Sequence, residues 1–426
     1  MRKDEKLTQP KDLLQAIRNK FCHVEECPFS GKRIFFENAG GSLTLKTVAK
    51  SSGDLAAIPD NQGRNNRASR EVKDLIQKSK TDALEFFNTE KGSILIGESG
   101  TELLFRLIRS AILASEKGTV VGSTLEHPAS RSATTKWSKY ASKYLTLIPH
   151  CKEYGSINVQ QYLDGISSDV GVATIIHTSP VTGISIQIRE LTQGIKEISP
   201  DCFIIVDGIQ HAPHGEINIS DYPIDGYVIS PYKVFSRHGY GLAWISDRLR
   251  NLPHETLLNG PAENWELGTR DVGSYATFSE VVSYFEWLGS QVSTSLTRRE
   301  KFVDASRFIK NQERKLVETM LYGKDNVKGL SYYPKINIIG GIENKFREGL
   351  VSFAFPELSS DFLVQELNSK GIRTHVRKSD HYSSNILEPL NLESCVRVSM
   401  CHYNSEDEVI HFLVSMSEIM QQSNLK

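Results

Sequence analysis

The sequence has few cysteines and almost no net charge. Its 426 residues include six cysteines, none of them in a C-x-x-C pair, and the formal net charge is -1 at pH 7. Sparse cysteines argue against a disulfide framework or a zinc ribbon and favour a reducing compartment. Interspersed charges of both signs offer no basic surface to nucleic acid or to an anionic membrane. We therefore expect no nucleic-acid partner.

Long apolar runs are also missing. No stretch approaches the roughly 18 apolar residues that a membrane helix needs. The start of the sequence, MRKDEKLTQPKDLLQAIRNKF, is charged and lacks the apolar core of a signal peptide. We therefore expect a cytoplasmic protein with no membrane partner.

Short β-branched runs alternate with helical stretches between residues 90 and 245. Unbroken apolar strands separated by helices are typical of a parallel sheet that is covered on both faces. After two long helical stretches, the pattern changes to the strands and helices of a smaller unit. The sequence therefore predicts an α/β fold with a large sheet domain and a smaller α+β domain that begins near residue 290.

Chemically capable residues follow several of the apolar runs. Ligands of such sheets bind beyond the carboxyl ends of the strands. The stretch GESGT (97–101) suits a phosphate at a helix start or an ordinary helix cap, and His127 suits ring stacking or a structural role. Asp207 ends an apolar run. A carboxylate that is buried there needs a nearby positive charge to stabilise it. Lys233 is either a solvated loop residue or a desolvated, nucleophilic amine.

Taken together, these four features match the requirements of pyridoxal 5'-phosphate. This cofactor needs a phosphate site at a helix start, a stacked ring, a carboxylate facing the pyridine nitrogen and a lysine that carries the aldehyde as a Schiff base. Their joint occurrence at the strand ends of one sheet predicts a pyridoxal-phosphate site.

A metal site is not predicted. His211 and His214 in HAPHG stand close together, but Pro213 interrupts the helix that would align them. No carboxylate or cysteine beside them completes a ligand set.

The chain resembles the fold-type I, class-V aminotransferases, and among them the cysteine-desulfurase-like enzymes. The resemblance extends from FFENAGGS (35–42) to VRVSMCHYNSEDEV (396–409) and includes GESGTELL, LEHPAS, VDGIQHAPHG, SPYK and WELGTRDVGSYA. It implies a large, mostly parallel seven-stranded sheet domain with helices on both faces at 35–290. A smaller α+β domain is expected at 291–426, with an N-terminal segment, 1–34, packing against it.

The resemblance also implies which residues hold the cofactor. Lys233, His127 and Asp207 are the expected catalytic residues: Lys233 forms the Schiff base, His127 stacks on the ring and Asp207 meets the pyridine nitrogen. The other expected cofactor contacts are Gly100, Thr101 and Ser230 at the phosphate, Gln210 at the phenolic oxygen, and Thr269, which reaches the phosphate of the other subunit in a homodimer with shared sites.

Substrate contacts are implied in the same way. Arg397 stands where the family binds a substrate carboxylate, for which the guanidinium fork is well shaped. The segment GRNNRASREV (63–72) matches one at the mouth of the active site, so Asn65, Asn66 and Arg67 are expected to select a polar or acidic substrate. The alternative is an ordinary capped loop before the next helix.

Departures from the family pattern concern the chemistry. Tyr382 stands near the place where the desulfurases carry a nucleophilic cysteine on a mobile loop. Cys395 and Cys401 lie in one apparent strand with Arg397, and we interpret both as packing residues. Tyr232 and Pro180 replace a histidine and an asparagine that many relatives have. Persulfide transfer through an enzyme cysteine is therefore not expected.

The sequence predicts an enzyme that acts on a small-molecule amino acid through an external aldimine, with Lys233 as the base at the α-carbon. We expect direct elimination of a β-substituent by a C–S lyase or desulfurase-like enzyme. The alternatives are a class-V aminotransferase, an epimerase resembling isopenicillin-N epimerase, and a non-enzymatic binding or scaffold protein with this fold.

Overall fold

The computed structural model of the protein describes residues 10–422. Its α-helices are α1 (Pro10–Arg18), α2 (Lys46–Ala56), α3 (Arg67–Phe86), α4 (Gly100–Ala114), α5 (Pro128–Tyr140), α6 (Val159–Asp164), α7 (Ile188–Ile198), α8 (Asp247–Arg250), α9 (Val272–Val292), α10 (Arg298–Tyr322), α11 (Ser360–Ser369), α12 (Ser384–Leu387) and α13 (Glu406–Gln422). None of the helices within residues 10–422 has the length and apolar character needed to cross a bilayer.

The strands are β1 (Glu26–Cys27), β2 (Gly31–Lys32), β3 (Ile34–Phe35), β4 (Ser93–Gly97), β5 (Thr119–Ser123), β6 (Tyr144–Ile148), β7 (Val170–Ile176), β8 (Phe203–Asp207), β9 (Gly226–Ile229), β10 (Gly241–Ile245), β11 (Gly323–Lys324), β12 (Val327–Lys328), β13 (Asn337–Ile338), β14 (Leu350–Ala354), β15 (Ile372–Arg373), β16 (His375–Lys378) and β17 (Ser394–Ser399).

The large sheet has seven strands in the order β4-β10-β9-β8-β7-β5-β6. Strand β10 runs antiparallel to both of its neighbours, whereas the pairings from β9 to β6 are parallel. Side chains of a strand alternate between the two faces of a sheet. Accordingly, Ile205 packs into the cluster around α4, and Ile204 and Val206 pack into the cluster on the opposite face. The predicted mostly parallel, seven-stranded sheet is confirmed.

A smaller antiparallel sheet follows, in the order β13-β14-β17-β16. In β17, Val396 and Val398 face the cluster that α11 and α13 cover, while Arg397 lies on the alternate face. The N-terminal part of the chain joins this unit where β3 pairs with β15. The α/β fold class with a smaller C-terminal α+β unit is thus confirmed.

The predicted domain boundaries stay predictions. The boundary after residue 290 falls in the last turn of α9. Residues 1–9 of the expected N-terminal segment and 423–426 of the expected C-terminal domain lie outside the described residues.

Candidate active site

Lys233 stands in a short turn, Pro231–Lys233, directly after β9. It is partly buried, and its Nζ atom donates a hydrogen bond to Gln210 Oε1 at 3.3 Å. Burial, helped by the positive charge of Arg397 and opposed by Asp207, lowers the pKa of Lys233 to about 7. A large share of the amine is therefore unprotonated near neutral pH, as a nucleophile or base requires.

Asp207 is the last residue of β8 and only 3% of it is exposed. Its carboxylate accepts a hydrogen bond from the Ile209 backbone N–H at 3.1 Å, which is its one hydrogen bond within residues 10–422. Burial raises its pKa to about 6, against the lowering effects of that hydrogen bond and of Lys233. A cationic ligand group beside Asp207 would therefore stabilise the charged carboxylate.

The start of α4 forms a narrow cradle with the end of β9. A Cβ atom at Gly100 would lie 2.5 Å from Ser230 Oγ and 2.6 Å from Ile209 Cδ1, so only glycine allows this approach. Ser99 caps the helix by accepting the Glu102 N–H at 3.1 Å, and the Thr101 side chain is exposed. Both interpretations of the GESGT stretch are thus compatible with the structure: Ser99 caps the helix, and the backbone N–H groups at a helix start beside the buried Ser230 suit an anion.

His127 precedes α5 and caps it. Its Nδ1 atom accepts a hydrogen bond from the Ala129 N–H at 3.2 Å. Burial, with the nearby charges of Lys233 and Arg377, lowers the pKa of His127 to about 3. The imidazole is therefore neutral at physiological pH and offers an uncharged ring, and stacking on a cofactor stays a prediction.

Sequence reasoning missed a buried chain of hydrogen bonds behind Lys233. Gln210 Nε2 lies 3.2 Å from His214 Nε2, and His214 Nδ1 lies 2.8 Å from Glu313 Oε2. All three residues are at most 4% exposed. Because the Gln210 amide donates to His214, its oxygen is left to accept from Lys233. The four-residue spacing of Gln210 and His214 could have suggested their contact. Nothing in the sequence indicated that Glu313 on α10 lies beside His214.

His214 has possible metal-ligating neighbours that the sequence did not indicate. One ligand atom from each of His214, Glu313 and Cys401 lies within 4.8 Å of the others, so a carboxylate and a cysteine do stand beside this histidine. His211, in contrast, pairs with Glu348, with 2.6 Å between Nδ1 and Oε1. That no metal is required stays a prediction.

Arg397 projects from β17 toward the large sheet. It is 3% exposed, and its Nη1 atom donates to the Pro180 carbonyl oxygen at 3.1 Å. Burial, together with the charge of Arg377, lowers the pKa of Arg397 to about 10, so it stays cationic. Tyr232, the other departure from the family pattern, stacks on His238 at a centroid distance of 4.3 Å.

Three candidate residues are not brought into this cluster. Asn65 and Asn66 are exposed, and Asn66 caps α3 by accepting the Ser69 N–H at 2.8 Å. The side chain of Asn66 thus has the capping role that was the alternative interpretation. Thr269 is exposed in the loop before α9, and its contact with a second subunit stays a prediction, as does the homodimer.

The two C-terminal cysteines are enclosed by protein. Cys395 is 0% exposed and Cys401 is 1% exposed. Strand β17 ends at Ser399, so Cys401 lies beyond the strand that was expected to contain both. Burial raises the pKa of Cys395 to about 12 and also raises the pKa of Cys401, so neither is a thiolate at neutral pH. On the loop between β16 and α12, Tyr382 is 46% exposed.

The chain is similar to known proteins over most of its length. The model of the aminotransferase class-V family matches residues 34–412. A "Probable cysteine desulfurase" of Mycoplasma genitalium is 26% identical over 388 residues, covering 89% of this chain and 90% of that protein. The cysteine desulfurase-like protein ustD of Aspergillus flavus is 25% identical over 409 residues, covering 92% of this chain and 88% of that protein.

Solved structures share the fold. The apo structure of a cysteine desulfurase from Thermococcus onnurineus superimposes with a TM-score of 0.79 at 20% identity, covering 99% of this chain and 100% of that chain. The Escherichia coli cysteine desulfurase CsdA gives a TM-score of 0.77 at 16% identity, covering 96% and 98%. With most of its length matched by the family model, the chain belongs to the class-V aminotransferase family of pyridoxal-phosphate-dependent enzymes.

Proposed function

We propose that the protein is a pyridoxal-phosphate-dependent C–S lyase that removes a sulfur-linked β-substituent from an amino acid without an enzyme cysteine as nucleophile. The observation that carries this proposal is the partly buried Lys233 amine, which donates a hydrogen bond to Gln210 Oε1 at 3.3 Å and whose pKa is lowered to about 7. The desulfurase names of several relatives support a substrate with a C–S bond.

The residues present fit the cofactor. Lys233 would hold it covalently, Asp207 would meet its pyridine nitrogen, and Gly100 with Ser230 would hold its phosphate in the narrow cradle at the start of α4. A neutral His127 would lie against its ring. When bound, pyridoxal phosphate supplies a reactive carbonyl carbon and a ring that accepts electrons.

The chain's own groups divide the remaining work. Arg397 binds the α-carboxylate of the amino acid and so orients the α-carbon. Lys233 Nζ takes the α-proton, for which a pKa near 7 suits neutral pH. Gln210, fixed by His214, holds the Lys233 amine by its hydrogen bond between these steps.

The absence of a nucleophilic thiol from the proposal rests on two observations. Burial keeps Cys395 and Cys401 protonated. The exposed loop between β16 and α12 presents Tyr382 in place of a cysteine. A good leaving group on the β-carbon departs once the α-proton has been removed, so its release needs Lys233 as the base and no enzyme thiol.

Product analysis tests the proposal. The purified protein is given a panel of amino acids that includes L-cysteine, L-cysteine sulfinate, L-aspartate and L-alanine, with Lys233→Ala as the control. A released sulfur species together with ammonia and a keto acid is the expected result. A keto acid that keeps its side chain, formed without ammonia, would show an aminotransferase instead, and inversion at the α-carbon an epimerase. A protein with neither turnover nor a cofactor absorbance band would favour the binding or scaffold alternative.

A further inference from the structure

The face of the small sheet that meets the large sheet carries a second arginine beside Arg397. In the pairing of β16 with β17, Arg377 lies opposite Cys395 and His375 lies opposite Arg397. Opposite residues share a face, so the two arginines are diagonal neighbours whose Cα atoms are about 7–8 Å apart. Burial is the main cause of the lowered pKa of Lys233, and the positive charges of both arginines add to it, so both act electrostatically on the amine.

Neither arginine has an ion-pair partner within residues 10–422. Arg397 Nη1 donates to the Pro180 carbonyl oxygen at 3.1 Å, and Arg377 Nη2 donates to the Tyr382 carbonyl oxygen at 3.4 Å. The Nε atom of each is buried without a hydrogen-bond partner. Carbonyl oxygens thus orient both guanidinium groups but do not compensate their charges.

The nearest acidic groups are already engaged. Glu37 pairs with Arg373 at 2.7 Å and with His375 at 3.3 Å. Asp380 is exposed and accepts the Tyr382 backbone N–H at 2.8 Å. Arg397 is buried and Arg377 is half-buried. Cations that are removed from water without an ion-pair partner are unfavourable, which makes the two arginines a site for anionic groups supplied from outside the chain.

A cofactor phosphate does not account for both arginines. The residues that fit the phosphate, Gly100 and Ser230, lie on the large sheet, at the start of α4 and the end of β9. An ordinary amino acid supplies one carboxylate, which Arg397 would bind. One guanidinium group is then left over, and it is that of Arg377.

We propose that Arg377 binds a second acidic group, so that the substrate is an α-amino acid whose side chain ends in a carboxylate or a similar oxyanion. Arg397 binds the α-carboxylate and Arg377 the side-chain acid, and together they discriminate against neutral amino acids. The assignment rests on the proposed function only for the role of Arg397, and it does not depend on which bond is broken after binding.

Calorimetric titration of the holoprotein with small acids tests this pairing. Succinate carries two carboxylates on a short chain, butyrate carries one on a chain of the same length, and inorganic phosphate is a compact anion. We expect succinate to bind at least tenfold more tightly than butyrate or phosphate. Arg377→Gln should weaken succinate binding about tenfold, which corresponds to about 1.4 kcal/mol, and leave butyrate binding unchanged.

The matched control is Lys378→Gln. Lys378 is the next residue of β16, is exposed, and pairs with Asp361 at 3.1 Å, so its loss removes the same charge from the outer face of the strand. Succinate binding should not change in this variant. In Arg377→Lys, which keeps the charge without the fork, part of the preference for succinate should remain.

Several results would overturn the inference. Equal binding of succinate and butyrate by the unaltered protein would do so even if the Arg377 variants did not fold, and so would phosphate binding as tight as that of succinate. Kinetics add a second readout: Arg377→Gln should raise KM for an acidic amino acid while kcat changes little. If acidic amino acids bind in this way but yield no β-elimination product, the inference stands and the proposed function fails.

Discussion

Two groups of buried or half-buried ionisable residues differ in how their charges are compensated. On one side, Glu313 lies 2.8 Å from His214 and Glu348 lies 2.6 Å from His211, so each histidine has its own carboxylate. On the other side, Arg397 and Arg377 donate to carbonyl oxygens and form no ion pair with a carboxylate within residues 10–422. The histidines thus have counter-charges inside the protein. For the two arginines, a bound anion would supply the counter-charges, as inferred above.

The largest expected effect comes from removing Lys233, whose amine is linked to His214 through Gln210 and whose pKa both arginines lower. Lys233→Ala should abolish covalent attachment of the cofactor and lower turnover by about a hundredfold to ten-thousandfold, because the base at the α-carbon is lost. Borohydride reduction of the unaltered holoprotein, followed by peptide mapping, should find the pyridoxyl group on Lys233. A label on another lysine would overturn the assignment.

A variant at Asp207 tests whether turnover needs a negative charge at the end of β8. Asp207→Asn keeps the shape of the side chain and should still bind the cofactor, as checked by absorbance. Turnover should fall by about a hundredfold or more, because a preorganised negative charge is removed from an enclosed site. Near-normal turnover in a fully loaded variant would contradict the role of Asp207.

A third experiment sharpens the comparison between the two sides. Although burial opposes it, Glu313 raises the pKa of His214, so Glu313→Gln breaks a mutually stabilising pair. Removing one partner of a buried pair destabilises a protein by about 3–5 kcal/mol. Arg377→Gln removes an unpaired charge and should change stability little or raise it. Thermal unfolding of both variants measures this difference in stability. A similar decrease of Tm in the two variants would contradict the prediction.

The pKa values predict how apoprotein captures the cofactor. The pKa of Lys233 lies near 7, below its usual value, so its amine gains a proton as the pH falls through 7. The pKa of Asp207 lies near 6, so its carboxylate is also lost on acidification. Because capture needs the free amine and the carboxylate, its rate should rise from pH 5.5 to 7.5 and then level off. Stopped-flow absorbance measures this rate, and a rate that falls with rising pH would contradict both assignments.

The smallest effect is expected at the cysteines. A variant with Cys395→Ala and Cys401→Ala should fold, bind the cofactor and keep its turnover within a few-fold, because both thiols are buried and protonated. Loss of all turnover with the cofactor still bound would show that one of the two thiols takes part in the reaction.

The sequence predicted what depends on short-range pattern. The seven strands of the large sheet follow from apolar runs, and Asp207 and Lys233 were found because each directly follows such a run. Glu313 and Arg377 could not be found in this way. Glu313 reaches His214 from α10, and Arg377 joins Arg397 only through the register of β16 with β17. Contacts between residues that are far apart in the sequence are fixed by tertiary packing. They produce no local periodicity from which they could be predicted.

Strand β10 also determines the order in which the site can be completed during synthesis. Gly97, just before the start of α4, pairs with Gly241 on the antiparallel β10, and β10 is the one neighbour of β4 in the sheet that residues 10–422 supply. A ribosome therefore delivers β4 long before this partner strand emerges, and β4 stays unpaired until then. Such long-range pairing is slow and leaves a strand edge exposed to other chains. In a nascent chain, the pairing of Gly97 with Gly241 beside the start of α4 therefore forms only after β10 has been translated, later than Gly100 and Ser230.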